Sequence, residues 1–168
     1  MNIKVVELLT HTTEWVNGEV LQGKITIGLS VMFTIAFLYF FNLQQSFFKG
    51  LIIPFVLFQL VLLGYGAFQV TQRPKHIQSV SQSMETQPQK TLYDALTKAQ
   101  KDDKTYSTAK IVWVVMMIVL GVLFFIFKND FWKGISLGFA LFFIGMLIFD
   151  GFLHHRLKTY LSALESIG

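Results

Sequence analysis

The sequence predicts an all-α integral membrane protein in which four transmembrane helices form two helical hairpins. Charged residues make up only 14% of the 168 residues, whereas a soluble domain has about a quarter. The apolar residues are concentrated in four runs that contain no lysine or arginine. A short aromatic motif precedes the second run and recurs before the fourth. Together these features favour lipid as the solvent for much of the chain.

The four runs have the length that a transmembrane helix requires. A helix that crosses a hydrocarbon core of roughly 30 Å needs about 20 apolar residues, and slightly fewer are tolerated. The only acidic residue in any run is Asp150, near the end of the fourth. Glutamates precede the first run, so it lacks the basic start of a signal peptide and is expected to be retained. The predicted spans are residues 25–41, 51–70, 111–127 and 135–153.

The basic residues predict the orientation of the spans. With four spans, both chain ends and the loop 71–110 share one side of the membrane, and the two hairpin turns share the other. Eleven lysines and arginines fall on the first side, and only Lys49, Lys128 and Lys133 fall on the second. Because basic segments are retained in the cytoplasm, we expect a multi-pass protein of the cell inner membrane with cytoplasmic N- and C-termini.

The segments outside the spans are predicted to form short amphipathic cytoplasmic helices. They are residues 1–24, 71–110 and 154–168, and we expect them to lie on the spans or on the membrane surface. Pro74 and Pro88 predict the limits of one short helix within the loop. Apolar side chains recur at the spacing of one helix face. The clearest stripes are Leu92, Ala95, Leu96 and Ala99 in the loop, and Leu157, Tyr160, Leu161 and Leu164 in the tail.

The two hairpins carry the same aromatic corner. Phe47-Phe48-Lys49-Gly50 recurs as Phe131-Trp132-Lys133-Gly134. The displacement in sequence that carries Phe47 onto Phe131, which we call the repeat shift, also pairs Phe58 with Phe142. A duplication would make the hairpins parallel repeats about an axis along the membrane normal; outer corners can also converge on such residues independently.

The corners also predict interface anchors. Aromatic rings settle at the headgroup level while lysine extends toward water. Each corner combines both kinds of side chain at the start of an apolar run. The predicted anchors are Phe48, Lys49, Trp132 and Lys133.

Asp150 is the most informative single residue for function. A carboxylate in a span costs about 2.5 to 3.5 kcal/mol, so it suggests a functional site by default. His154 follows at i+4 on the same helix face, and His155 is next to it. These residues are candidates for an ion site or a proton relay. The alternative is an interfacial carboxylate that hydrogen-bonds or ion-pairs with its neighbours.

A second candidate cluster lies in the N-terminal segment. His11 has Glu7 at i−4 and Glu14 at i+3, a spacing that lets the side chains converge. Carboxylate and imidazole are ligands for several cations, but a solvated helix face has the same composition. We therefore predict no metal site from this pattern.

Small and polar residues inside the spans predict helix packing. Thr26, Ser30 and Thr34 share one face of the first span, and Gln59 lies midway along the second with Gly64 and Gly66 nearby. Hydroxyl and small side chains let helices approach closely and hydrogen-bond. The functional alternative is a stripe that lines a pore.

The sequence contains no motif that would specify a reaction or a cofactor. It has no cysteine, no phosphate-binding glycine loop and no HExxH run. The basic loop is interleaved with aspartates and ends at a span, so membrane lipid is the expected partner and nucleic acid is not. The first span also lacks the acidic residue that a small multidrug-resistance transporter would need.

Three functions remain open at this point. We expect a non-enzymatic protein that acts through helix–helix association, as a homo-oligomer or with another membrane protein: a subunit, an accessory factor or an immunity-type protein. The alternative is an oligomeric ion channel or small-solute transporter that uses Asp150 and His154. The third is a lipid-modifying enzyme at the cytoplasmic face, which would need His11, Asp150, His154 and His155 to converge.

Overall fold

The computed structural model is a bundle of five α-helices. It describes residues 3–40 and 44–167, with the side chains of residues 5–39 and 44–167. No strand occurs among these residues, which confirms the predicted all-α class. Within the same part of the chain, four helical stretches are long and apolar enough to cross a membrane. The helices are α1 (Ile3–Phe40), α2 (Ser46–Thr71), α3 (Arg73–Thr86), α4 (Pro88–Ile126) and α5 (Asp130–Ile167).

Parts of three predictions lie outside the described residues. These are the end of the first span at Phe41, the residues 42–43 that follow it in the first hairpin turn, and the side chain of Lys4, one of the eleven basic residues counted on the cytoplasmic side. The second turn is described, and it joins α4 to α5 between Ile126 and Asp130, where the sequence predicts it.

The helices continue through the predicted span boundaries. The described residues 3–24 of the N-terminal segment are not a separate short helix, because α1 runs unbroken from them into the first apolar run. α4 and α5 likewise each combine an apolar run with a polar flank, over 39 and 38 residues. Within the loop 71–110, the described helices break where proline removes a backbone donor, at Pro74 in the first turn of α3 and at Pro88 in that of α4. The flanks therefore project from the apolar runs as continuous helix.

α2 and α5 form the centre of the bundle. They pack against each other, α1 packs on α2, and α4 packs on α5. α3 lies beside the flanking parts of α1 and α4. The apolar run of α4 is the least covered, since none of the residues in its most apolar window is buried.

The backbones of α2 and α5 meet where each helix begins. A Cβ atom at Gly50 would overlap the carbonyl oxygen of Phe131, and a Cβ atom at Gly134 would overlap that of Phe47. Only glycine permits backbones to approach this closely. The two contacts are reciprocal, because the repeat shift carries Phe47 onto Phe131 and Gly50 onto Gly134.

The α2–α5 interface continues through residues that the repeat shift pairs. Gly138 leaves room for the ring of Pro54, and the rings of Phe58 and Phe142 meet edge to face with centroids 5.6 Å apart. Further along the interface, the rings of Tyr65 and Phe149 also meet edge to face, with centroids 5.3 Å apart. At these three places a residue of α2 contacts its counterpart on α5, as at an isologous interface.

The polar flanks pack around a second core, which we call the flanking bundle. It combines the first part of α1, all of α3, the first part of α4 and the last part of α5. Leu8, Val16 and Leu164 are fully buried there, which accounts for the apolar stripes that the sequence places outside the spans. The core residues are Leu8, Trp15, Val16, Val80, Met84, Ala99, Leu157, Tyr160, Leu164 and Ile167.

The close backbone contact gives a direct prediction for stability. Gly134→Ala places a methyl group against the Phe47 backbone, so we expect the free energy of unfolding to fall by about 1–3 kcal/mol. Gly121→Ala is the matched control, because a Cβ atom there meets no atom within 4 Å. The control is expected to be neutral or slightly stabilising. Equal effects of the two substitutions in denaturant titrations of the micelle-bound protein would contradict the packing described.

Candidate functional site

A group of polar side chains lies between α4 and α5 where the apolar runs meet the flanking bundle. Four of them recur at i, i+3, i+7 and i+10 along α4, which places them on one helix face. α5 contributes two more at i and i+4. We call this group the polar junction; it consists of Asp103, Tyr106, Lys110, Trp113, Asp150 and His154.

His154 is the centre of the polar junction and is only 4% exposed. Its Nε2 lies 2.7 Å from Oδ1 of Asp103, and its Nδ1 lies 2.7 Å from Nζ of Lys110. A lysine ammonium group can only donate, so Lys110 donates to Nδ1 and the Nε2–H donates to the carboxylate. The partners therefore assign a neutral imidazole with its proton on Nε2.

Asp150 has a partner of its own on α4. The indole Nε1–H of Trp113 donates to Oδ2 of Asp150 at 2.6 Å, and the carboxylate is 8% exposed. Tyr106 stacks on the His154 ring with centroids 5.7 Å apart. The Asp150 carboxylate therefore lies in a helix–helix contact, as the interfacial alternative requires.

A second ion pair extends the polar layer to α1 and α3. Glu19 is 2% exposed and pairs with the guanidinium group of Arg73. Tyr65 of α2 interacts electrostatically with both Tyr106 and Arg73, which connects this pair to the polar junction. Burial raises the pKa of Glu19, while the charge of Arg73 opposes the shift. All five helices thus contribute to one polar layer.

Trp15 lies at the side of this layer, enclosed by three side chains. Its ring stacks on Tyr160 with centroids 4.8 Å apart, meets His76 edge-on at 6.0 Å, and carries the guanidinium carbon of Arg73 at 4.9 Å. The Tyr160 hydroxyl lies 3.1 Å from Thr12 Oγ1. We call Trp15, Arg73, His76 and Tyr160 the aromatic box.

The other predicted polar candidates do not join Asp150 and His154. His155 is exposed, although it is adjacent in sequence. His11 pairs with Glu14 on α1 at 3.5 Å. The next residue, Thr12, contacts Tyr160, which lies about 9 Å along α5 from His154. In the described part of the chain, no three His, Cys, Asp or Glu side chains are grouped to hold a metal ion.

The predicted packing residues divide into two groups. Ser30 is 1% exposed and donates from Oγ to Oε1 of Gln59, which links α1 to α2, and Thr34 donates to the Ser30 carbonyl at 2.9 Å. Thr26 is also buried, and Gly66 lies against Gly23, which the sequence reading missed. Gly64 differs, because a Cβ atom there would meet no atom within 4 Å. In the described part of the chain, its helix face is therefore open at this point.

The predicted anchors lie at the outer corner of the bundle. Trp132 is 51% exposed, and its ring meets Phe131 edge to face and lies tilted against Phe127. Lys49 is exposed, and Lys133 lies 4.0 Å from Asp130. Phe48 is half-buried against Phe47.

Sequence reasoning missed most of the polar junction. It identified Asp150 and His154 but not their partners Asp103, Lys110 and Trp113 on α4. The signal that could have revealed them is the i, i+3, i+7, i+10 spacing on α4. It crosses the predicted boundary between loop and span at residue 110, so it is lost when the two segments are considered separately.

Comparison with protein-family models, curated proteins and solved structures finds no significant match.

The contacts of His154 predict a large difference between two neighbouring histidines. His154→Ala leaves Asp103 and Lys110 without their buried partner, so we expect a loss of about 2 kcal/mol or more in the free energy of unfolding. His155→Ala, at an exposed position, should change it by less than about 0.5 kcal/mol. If both variants unfold at the same denaturant concentration, the polar junction does not stabilise the contact between α4 and α5.

The aromatic box predicts a pH dependence. Burial, together with the charges of Lys98 and Arg73, lowers the pKa of His76 below its ordinary value of 6.5. Between the two values the folded protein binds fewer protons than the unfolded chain, so stability falls as pH falls below about 6.5. His76→Gln should flatten this part of the stability–pH curve. His155→Gln serves as the control and should leave it unchanged; a curve unaltered by His76→Gln would contradict the assignment.

Proposed function

We propose that this chain is a multi-pass protein of the cell inner membrane that acts non-enzymatically through helix–helix association. The N- and C-termini and the flanking bundle would lie in the cytoplasm. The observation that carries the proposal is the surface of α4. None of the residues in its most apolar window is fully buried, and large apolar side chains such as Phe125, at 84% exposure, face outward along it.

Lipid is the solvent that such a surface requires. Contiguous apolar patches of this extent are rare on soluble monomers, and α1, α2 and α5 also present exposed apolar faces at the same level. The polar junction lies at one end of these faces, where headgroups and water would meet its charges. The excess of lysine and arginine at that end supports a cytoplasmic location for the flanking bundle.

The two halves of the chain would be parallel repeats of one hairpin. The repeat shift carries the start of α2 at Ser46 onto the start of α5 at Asp130, and carries α1 onto α4 to within two residues at each end. α2 and α3 together then correspond to α5. The reciprocal contacts of Gly50 and Gly134 support this relation, because an axis that exchanges the halves exchanges these contacts.

Association is favoured over transport by the polar contacts within the spans. Asp150 accepts from Trp113, Ser30 donates to Gln59, and Ser136 donates to the Leu120 carbonyl at 2.6 Å. Each contact joins two helices of this chain. Gly28 and Gly64, by contrast, lie in exposed apolar faces with open space beside them. Small residues at such positions let another membrane helix approach closely.

An enzymatic role receives no support from the geometry. The third hypothesis needs four polar side chains within reach of one substrate atom. His11 pairs with Glu14 on α1, His155 is exposed, and the His154 imidazole has both nitrogens occupied by Lys110 and Asp103.

The orientation is testable with cysteine labelling, because the native chain has no cysteine. We expect a membrane-impermeant maleimide to label Asn129→Cys on intact cells. Lys101→Cys, in the flanking bundle, should be labelled only after the membrane is permeabilised. The reverse pattern, or labelling of both positions on intact cells, would contradict the proposed orientation.

Association is testable by energy transfer between labelled copies in liposomes, measured over a range of protein-to-lipid ratios. We expect Gly64→Leu to weaken self-association by about tenfold, because the larger side chain keeps helices apart. Val56→Leu, at an exposed position of α2, is the control and should have no effect. A protein that stays monomeric at every ratio would contradict self-association.

A further inference from the structure

A cavity of about 190 Å³ opens between α3 and α4 in the flanking bundle. Its apolar floor includes Val80, Ala99 and Leu157, beside Trp15 and Tyr160 of the aromatic box. Hydroxyl and charged groups surround its mouth. They are Ser79, Ser83, Thr91, Asp94, Lys98 and Asp102.

The cavity coincides with the position that a second copy of Trp15 would occupy. The repeat shift carries Trp15 onto Ala99, which lines the cavity. Trp15 contacts Arg73, His76 and Tyr160. The repeat shift carries Arg73 onto Leu157 and His76 onto Tyr160, and in reverse it carries Tyr160 onto His76. The corresponding neighbours of Ala99 are therefore Leu157, Tyr160 and His76, and all three line the cavity.

Trp15 therefore fills its place in one half of the bundle, and Ala99 leaves the matching place empty in the other. Cores are normally packed without voids larger than a water molecule. The unequal size of Trp15 and Ala99 thus leaves a ring-sized space beside the polar groups of the flanking bundle.

We propose that this cavity binds a small aromatic amine, whose ring takes the position of the missing indole. Ligand pockets for larger molecules usually exceed about 300 Å³, so the volume suits one ring system. The mouth carries two carboxylates, Asp94 and Asp102, against one ammonium group, Lys98. Among the ion pairs of the described residues, none joins Lys98 to Asp94 or Asp102, which leaves both carboxylates available to a ligand cation.

The test is calorimetric titration of the full-length protein in micelles with tryptamine, indole and indole-3-acetate, with empty micelles subtracted. We expect saturable binding at one site per chain, with tryptamine on the order of tenfold tighter than indole and indole-3-acetate the weakest. Ala99→Trp should fill the cavity, reduce tryptamine affinity at least tenfold and leave the thermal midpoint equal or higher. Gln100→Trp, which adds an indole at an exposed neighbouring position, should bind as the native protein does.

Two results would overturn the proposal: no saturable binding of any of the three probes, or tryptamine binding that Ala99→Trp leaves intact. If Ala99→Trp does not fold, the pair Asp94→Asn and Asp102→Asn decides, since it should remove the preference for tryptamine over indole while indole still binds. An unchanged preference contradicts the assigned charges. The inference rests on the proposed correspondence of the halves; orientation and self-association are measured separately, so its failure leaves those results standing.

Discussion

The arrangement of the bundle depends on the close approach of α2 and α5 at Gly50 and Gly134. At these points the backbones touch, so the distance and register between the two helices are fixed by main-chain atoms. Every later contact along the pair follows from that register, including Pro54 on Gly138 and the paired phenylalanine rings. α1 then packs on α2 and α4 packs on α5, and both outer helices keep exposed apolar faces. A central pair with two outer helices is thus set by two small residues.

The polar layer determines where the apolar part of the bundle ends. The repeat shift carries Glu19 onto Asp103, and each of these carboxylates pairs with a basic side chain of another helix, Arg73 and His154 respectively. Isolated charges at this depth would be costly, whereas hydrogen-bonded pairs are tolerated. Because α1, α4 and α5 pass through the layer as unbroken helices, a change in the layer would move the flanking bundle relative to the apolar runs. The aromatic box lies at the side of this polar layer.

The helical class, the four apolar stretches and the proline breaks follow from composition, run length and the chemistry of proline, and were predictable. The continuity of α1, α4 and α5 was not, because a switch from apolar to polar residues resembles a boundary although nothing in it interrupts backbone hydrogen bonds. Asp150 and His154 were recognisable as rare polar residues near a span. Their partners Lys110 and Trp113 were not, because pairing between helices depends on which faces meet, and a single sequence does not specify that.

The central claim, that the halves face each other across α2 and α5, is tested most directly by crosslinking in membranes. Phe58 and Phe142 are counterparts whose rings touch. In a background without native cysteine, Phe58→Cys with Phe142→Cys should be joined within one chain by a short bifunctional thiol reagent. The control pair Phe58→Cys with Phe125→Cys, whose second site is exposed on α4, should not be joined. Efficient crosslinking of the control pair, with none between the counterparts, would contradict the account.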